Sequence, residues 1–255
     1  MRLENLSAKE KEEMPLTKFI FASDVHGDCQ EPAANDALFK FIDIWKPKIR
    51  IFGGDLWDFR PLRKAANEDE RRESMAADYE AGIRWLKRFR PQVFLRGNHD
   101  ERLWELAAAD KGVQSDYAMS GVVEITNLTK KMGCKMLPYH HRDGIYKLGS
   151  LKMLHGFHSG INAARQTALV YGSSLLGHVH TIDEHSIPGL ERRVARSVGC
   201  LCKLSMDYQI RIPSHLRHSH GFAYGVVNEK TGNFFVWQAE EVKGKWVLPS
   251  DIVEL

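Results

Sequence analysis

Cysteine is scarce in this chain of 255 residues: Cys29, Cys134, Cys200 and Cys202 are all it has. That is too few for a disulfide framework in a chain this long, which points to reduced thiols and a cytoplasmic location. No uninterrupted apolar run approaches the roughly 18 residues of a membrane-spanning helix, so no membrane association is expected. Residues Met1 to Lys18 are rich in Lys and Glu and lack the apolar stretch of a secretory signal, so no export is indicated. Internal repeats, Pro-rich linkers and low-complexity segments are also missing, which leaves nothing to mark a domain boundary. The net charge of +3 is too small to imply nucleic-acid binding on its own, though it suits a polyanionic or phosphorylated substrate.

What is present is an ordinary globular composition, 43% apolar and 27% charged. A single domain over residues 1–255 is expected, with 1–17 as a flexible or helical N-terminal extension. Lys18 to Ser23 reads as a short buried strand. The spacing of Ala37, Leu38, Phe41, Ile42 and Trp45 predicts a helix closed by Lys46-Pro47. A second strand, Ile49 to Phe52, runs into Gly53-Gly54-Asp55. Glu68 to Arg90 reads as the longest helix, and Gln92 to Leu95 as a third strand ending in Gly97-Asn98-His99-Asp100. Three such strand–helix units argue for an α/β core. From about Gly121 the pattern changes: Val122 to Ile125, Ile145 to Leu148, Leu151 to His155, Ser174 to Gly177 and Phe234 to Trp237 read as closely spaced strands, with only Ile161 to Tyr171 helical. Two sheets packed face to face with helices outside are therefore expected. The C-terminal third, from about Thr181, is expected to supply edge strands and pocket walls, with Trp237 and Trp246 as packing or contact residues.

The metal-capable residues fall in a pattern. Asp24 and His26 follow the first strand, Asp55 and Asp58 the second, Asn98 and His99 the third; His155 ends a later strand, and His178 and His180 the next. In open α/β sheets ligands bind at the carboxyl ends of strands, so these five segments are expected to converge on one crevice. Asp24 and His26, like His178 and His180, are two apart, and on extended backbone such pairs project to one side. Each group alone is unremarkable: Gly-Asp pairs are usually turns, and Asn98 before a helix is an ordinary cap. All five together point to metal. Imidazoles and carboxylates with one amide oxygen favour Mn²⁺, Fe²⁺, Zn²⁺ or Co²⁺ over Ca²⁺, with Ni²⁺ a further candidate. The donors are too many for one such ion, and a shared carboxylate can bridge two ions about 3.5–4 Å apart that hold a hydroxide and clamp a phosphoryl group.

Other polar segments read more plainly. Cys200-Leu201-Cys202 is one close pair without a second, the mark of buried cysteines more than of a metal clamp. Tyr139-His140-His141-Arg142, His158 and the segment from His215 to His220 read as polar loops with a pocket-lining alternative. The basic run Arg84 to Arg90 reads as the solvated face of an amphipathic helix, with nucleic-acid tracking as the alternative.

Ser23-Asp24-Val25-His26-Gly27, Gly54-Asp55-Leu56-Trp57-Asp58, Gly97-Asn98-His99-Asp100, His155-Gly156 and Gly177-His178-Val179-His180 resemble, in order and spacing, the five blocks of the calcineurin-like metallophosphoesterases. The resemblance runs from about residue 18 to 181. It implies an α/β fold of four layers, an α/β/β/α sandwich of two mixed sheets flanked by helices, with a dinuclear centre at one end. Asp24, His26 and His180 would hold one divalent ion, Asn98, His155 and His178 the other, and Asp55 would bridge them; Mn²⁺ is the leading candidate. His99 would face the substrate and protonate or stabilise the departing oxygen, with Asp58 orienting its ring. An imidazole is the side chain best able to give a proton near neutral pH, and a neighbouring carboxylate fixes its tautomer and is expected to raise its pKa.

The departures bear on substrate. Protein serine/threonine phosphatases of this superfamily carry arginine directly after the second carboxylate of the Gly-Asp-x-x-Asp block; here Phe59 stands there, with Arg60 one further on as a candidate phosphate contact. Asp100 after His99 resembles the phosphodiesterase and nuclease branches. The expected function is therefore a metal-dependent phosphodiesterase acting on nucleotide or nucleic-acid diesters. The alternatives are a phosphomonoesterase with the same centre, a non-catalytic scaffold of the same fold, and a DNA-binding module with structural metals. Oligomeric state is left open, a homodimer included.

Overall fold

In the computed structural model, which describes residues 16–204 and 217–247, the first strand, β1 (Leu16–Ala22), sends its side chains to two separate cores. Phe19 and Phe21 point one way, Ile20 and Ala22 the other, as the two-residue period of a strand requires, and all four are fully buried. A strand buried on both faces lies between two layers.

One layer is helical. After β1 come α1 (Pro32–Trp45), β2 (Ile49–Phe52), α2 (Glu68–Arg72), α3 (Met75–Phe89), β3 (Val93–Leu95), α4 (Asn98–Ala108), α5 (Val113–Lys131) and β4 (Lys135–Leu137). Leu38, Phe41 and Trp45 of α1 and Trp85, Leu86 and Phe89 of α3 pack on Ile20, Phe52 and Phe94. The indole of Trp45 donates to the Phe19 carbonyl at 3.1 Å. The other layer is a second sheet. It holds β5 (Tyr146–Leu148), β6 (Leu151–Leu154), β7 (Ser174–Leu176), β8 (Ile182–Ile187) and β9 (Arg193–Val198) in the order β5-β6-β7-β9-β8. Leu148, Leu151, Met153, Leu175 and Val198 meet Phe19, Phe21, Ile51, Val93 and Leu95 between the sheets. On its far side, Leu154, Leu176 and Ala195 pack against Ala168 of α6 (Ala163–Tyr171).

The first sheet is completed by β10 (Gly221–Asn228), β11 (Phe234–Val242) and β12 (Lys245–Val247), in the order β12-β11-β10-β1-β2-β3-β4. Strands β1 to β4 are parallel and β10 to β12 antiparallel, so both sheets are mixed. The result is the four-layer α/β/β/α sandwich. None of the described helices is long and apolar enough to cross a membrane.

Several expectations are corrected. Val122 to Ile125 is no strand but the middle of α5, which is longer than any other described helix. The β-branched residues there are drawn into a helix because Ala118, Val122, Ile125 and Leu128 recur at helical spacing and pack into the same core as Leu103 of α4. Glu68 to Arg90 is two helices: Glu73 and Ser74 break it, and the Ser74 hydroxyl caps α3 by accepting from Ala76 N–H at 3.2 Å. The C-terminal third supplies β12 and β8 as edges, yet β10 lies inside its sheet with all eight residues buried. Trp237 and Trp246 both pack on the helical core. Of the expected N-terminal extension, residues 1–15 lie outside the described residues, and Leu16 and Thr17 begin β1.

Candidate metal centre

The loops that follow β1, β2 and β3 of one sheet and β6 and β7 of the other sit at the same end of the sandwich and are stitched together by main chain. Asp24 N–H donates to the Gly54 carbonyl (2.9 Å), Val25 and His26 N–H to Asp55 (both 3.0 Å), Gly27 N–H to Leu56 (2.7 Å) and Gly177 N–H to His155 (2.8 Å). Asp24, His26, Asp55, His178 and His180 all have positive φ, between 53° and 70°. The pairs two residues apart therefore converge through left-handed backbone, not on the extended chain expected from spacing. Such conformations are uncommon outside glycine and persist only where surrounding bonds hold them. Gly97 leaves no alternative at its own position, because a Cβ there would lie 2.0 Å from Asp55 Oδ1.

The side chains meet in two groups about Asp55. In one, Asp55 Oδ2 lies 3.2 Å from His155 Nε2, which lies 3.1 Å from Asn98 Oδ1; His178 completes this group. In the other, His180 Nε2 is 3.2 Å from both Asp24 Oδ1 and His26 Nε2, and His26 Nε2 is 3.9 Å from Asp55 Oδ2. Asp24, His26, Asp55, His155 and His180 are all 6% exposed or less. His155 Nδ1 donates to the Gly53 carbonyl at 2.8 Å, which fixes the tautomer and turns the Nε2 lone pair inward. Three lone-pair-bearing atoms, His155 Nε2, Asp55 Oδ2 and Asn98 Oδ1, thus face one another, and only a proton or a cation reconciles them. The nitrogen and oxygen donors fit a borderline divalent ion.

Electrostatics agrees. Burial opposes ionisation of Asp55, but His155 and His99 beside it hold its carboxyl well below the usual range. Burial likewise opposes charge on His155, yet Asp55 overrides it and raises the ring to about 9, while burial and the neighbouring His155 push His178 down to about 4. Without metal, protons take the places of cations in such a cluster.

His99 stands at the edge of this cluster. Its Nδ1 is 2.5 Å from Asp58 Oδ1, its Nε2 is 3.9 Å from Asp55 Oδ2, and its main-chain N–H donates to Asp55 Oδ1 at 2.8 Å. Asp58 is buried, and His26 and His99 keep it ionised against that burial. Two further carboxylates hold the loops from behind. Asp100 accepts from the N–H groups of Asp55, Leu56, Trp57 and Gly97 at 2.8–3.1 Å. Asp78 of α3 accepts from Asp58 and Phe59 N–H, the latter at 2.6 Å.

A cavity of about 170 Å³ opens over the cluster, lined by His26, Asp55, His99, His178 and His180 together with Arg63, Arg102 and His218. Arg60 does not line it. Its guanidinium is bound to both Asp28 oxygens at 3.0 Å, to Glu73, and to Cys29 Sγ at 2.9 Å. Sequence reasoning missed Asp78 and Arg102, and both left a signal. Asp78 is an acid on the apolar stripe of α3, and Arg102 is three residues beyond His99 on the same face of α4. Of the other histidines, His140 pairs with Asp143 at 2.9 Å and His220 is a buried strut between Glu241 (2.9 Å) and the Cys202 carbonyl (3.1 Å); His215 lies outside the described residues. Cys202 is closer to the centre than expected, its Sγ 3.8 Å from His180 Nδ1 and grouped with His26 and His180. The basic run of α3 is an amphipathic helix: Trp85, Leu86 and Phe89 are buried, while Arg84 and Arg88 pair with Glu80 and Asp36.

Among solved structures, a Vps29 (vacuolar protein sorting 29) from Cryptosporidium parvum is similar at 10% identity, with 91% of this chain and 95% of that one covered and a TM-score of 0.44. A phosphatase from Mycoplasma pneumoniae is similar at 11% identity (89% and 94% covered, TM-score 0.45), and the phosphoesterase YfcE from E. coli at 16% (87% and 98%, 0.37). No curated protein matches the chain. The sequence model of the calcineurin-like phosphoesterases matches residues 17–181, a span that contains all five strand-end loops of the cluster. The chain therefore belongs to the calcineurin-like phosphoesterase family.

Proposed function

We propose that the protein is a phosphodiesterase, a single catalytic domain that uses two divalent ions, Mn²⁺ foremost, in the cytoplasm. Asp24, His26 and His180 would hold one ion, Asn98, His155 and His178 the other, and Asp55 both. When bound, such ions supply an activated water and the positive charge that offsets the charge gathering on the phosphoryl oxygens. The observation that carries this reading is the pair of donor groups sharing Asp55, with His99 beside it at the mouth of the cavity.

The remaining steps belong to the chain's own residues. His99 donates Nδ1–H to Asp58, which leaves Nε2 toward the cavity to carry a proton to the departing alcohol oxygen. Burial lowers the pKa of His99 despite the opposing pull of Asp55 and Asp58, contrary to the rise expected from a neighbouring carboxylate, so the charged ring would draw on an anionic phosphate nearby. Arg102, whose Nη1 donates to the Asp58 carbonyl at 2.7 Å, braces that carboxylate's loop and adds positive charge to the cavity wall. Arg63 lies on the same wall. A diester is favoured because Phe59 replaces the arginine of the protein phosphatases and Arg60 is engaged with carboxylates. Turnover of bis-p-nitrophenyl phosphate against p-nitrophenyl phosphate, after chelation and restoration of Mn²⁺, tests this: the diester is expected to be the better substrate, and a preference for the monoester would overturn the assignment.

A further inference from the structure

The chain leaves β9 through Gly199 into Cys200-Leu201-Cys202, and the two-residue period of extended chain divides these three side chains between two sides. Leu201 enters the helical core, whereas Cys200 and Cys202 pack together with Cys29 and Leu204. Cys200, Leu201 and Cys202 are fully buried. Main chain pins the segment throughout. Cys200 N–H donates to the Ser219 carbonyl (3.0 Å), Leu201 N–H to Asp24 (2.9 Å) and Lys203 N–H to Cys29 (2.9 Å). The Leu201 carbonyl accepts from Glu31 N–H at 2.8 Å and from the Asn35 amide at 2.9 Å. His220 Nε2 donates to the Cys202 carbonyl (3.1 Å), and its Nδ1 lies 2.9 Å from Glu241 Oε2.

The two sulfurs of this pinned segment face different partners. The Cys200 thiol donates to the Ser219 and Cys202 carbonyls, at 3.7 and 3.8 Å. The Cys202 sulfur faces His180 Nδ1 at 3.8 Å. On the opposite edge of that ring, His180 Nε2 is 3.2 Å from both Asp24 Oδ1 and His26 Nε2, the donors with which it would share an ion. An imidazole that offers a metal its Nε2 lone pair carries its one hydrogen on Nδ1, and that hydrogen needs an acceptor. His155 gives the corresponding hydrogen to the Gly53 carbonyl at 2.8 Å; for His180 the acceptor in reach is sulfur. A thiol accepts only weakly, but for a buried N–H a weak partner is worth far more than none.

We propose that Cys202 is a positioning residue for the ion held by Asp24, His26 and His180: its sulfur accepts from His180 Nδ1–H, fixes the tautomer and keeps Nε2 turned to the other donors. Glu241 and His220 set the sulfur in place by holding the carbonyl of the same residue. The assignment rests on the two-ion reading and adds to it an outer partner. It accounts for the grouping of Cys202 with His26 and His180 without making sulfur a ligand, since Sγ stands at the Nδ1 edge of the His180 ring and Asp24 at the Nε2 edge.

The test loads the full-length protein with Zn²⁺, which is diamagnetic, and follows the imidazole N–H protons by heteronuclear NMR. Wild-type protein should show slowly exchanging Nδ1–H signals for both His155 and His180. In Cys202→Ala the His180 signal should shift or vanish into solvent exchange, while that of His155, on its main-chain carbonyl, stays in place. Zn²⁺ affinity, measured by competition with a chromophoric chelator, should fall about tenfold for one ion and hold for the other, as loss of an outer partner implies. Cys202→Ser, whose hydroxyl can accept, should recover part of that affinity. An unmoved His180 signal, or wild-type affinity for both ions in Cys202→Ala, would overturn the assignment. So would the absence of a His180 Nδ1–H signal from the wild type, a result that needs no variant to fold. A sulfur-to-metal charge-transfer band in Co²⁺-loaded wild type would overturn it too, by making the sulfur a ligand. Protein that takes up no ion at all would instead remove the two-ion reading, and the role of Cys202 with it.

Discussion

His99 Nδ1 and Asp58 Oδ1 are 2.5 Å apart, a contact short enough to fix the imidazole's tautomer and aim its other nitrogen at the metal cavity. If Nε2 delivers a proton to the departing alcohol, His99→Ala should lower kcat by roughly 10²–10⁴ on a diester with a poor leaving group and far less on a p-nitrophenyl ester, whose oxygen leaves without help. Asp58→Asn should show the same leaving-group dependence, more weakly. Near-full turnover of a poor-leaving-group diester by His99→Ala would remove the acid role.

Asp55 stands in both donor groups, so its loss should be felt by both. Asp55→Asn is expected to lower bound Mn²⁺ to one ion or fewer per chain by elemental analysis, whereas Asp58→Asn should retain the wild-type content.

His155 has its pKa raised to about 9 because Asp55 outweighs the opposing effect of burial, so metal-free protein carries a proton there at neutral pH. Metal must displace it. Mn²⁺ titrations in two buffers of different ionisation heat should therefore reveal net proton release at pH 7, and affinity should rise with pH toward about 9. Buffer-independent heats would contradict this.

Asp78 is pushed up to about 6 by burial, against the N–H groups of Phe59 and Asp58 that favour its charge. Its folded pKa thus lies above the ordinary 3.8, so the unfolded chain gives up the proton first as pH rises. The stability this residue contributes is complete below about pH 4 and is lost toward about pH 6, a change on the order of 3 kcal/mol. In urea unfolding, Asp78→Asn should be less stable relative to wild type at pH 4 than at pH 7. A difference that is flat with pH would mean that Asp78 titrates normally.

Gly97→Ala should disturb both the centre and the loop that carries it, since its methyl would fall 2.0 Å from Asp55 Oδ1 and 2.4 Å from the Asp55 main-chain nitrogen. The expected outcome is a lowered urea midpoint together with Mn²⁺ affinity reduced at least tenfold, on the order of the loss seen when a ligand's support is removed; wild-type values of both would contradict it.

Much of this was legible in the chain because hydrophobic strands stopping at Asp, His and Asn residues carry their own signal. Strands β1, β2, β3, β6 and β7 end where apolar runs end, and the polar residues that follow are those that meet around Asp55. Less was legible where tertiary packing outvotes local preference. Val122, Val123 and Ile125 favour a strand in isolation, and the helical pairing of α4 with α5 decides otherwise. Strand β8 is polar and largely exposed at an edge, so it gives no alternation to read. Asp78 and Arg102 reach the centre from helices, and Arg60 is diverted by Asp28 and Glu73, acids whose proximity no local pattern announces.

Asp24, Asp55 and Asn98 rise from one sheet, while His155, His178 and His180 rise from the other, and between the two lies the hydrocarbon of Phe19, Phe21, Leu151, Met153 and Leu175. That layer is a caliper. Its thickness gauges the gap between the donors that follow β1 to β3, His26 among them, and the histidines that follow β6 and β7, so trimming or enlarging a side chain far below the cluster would reset which ionic radius that gap would accept.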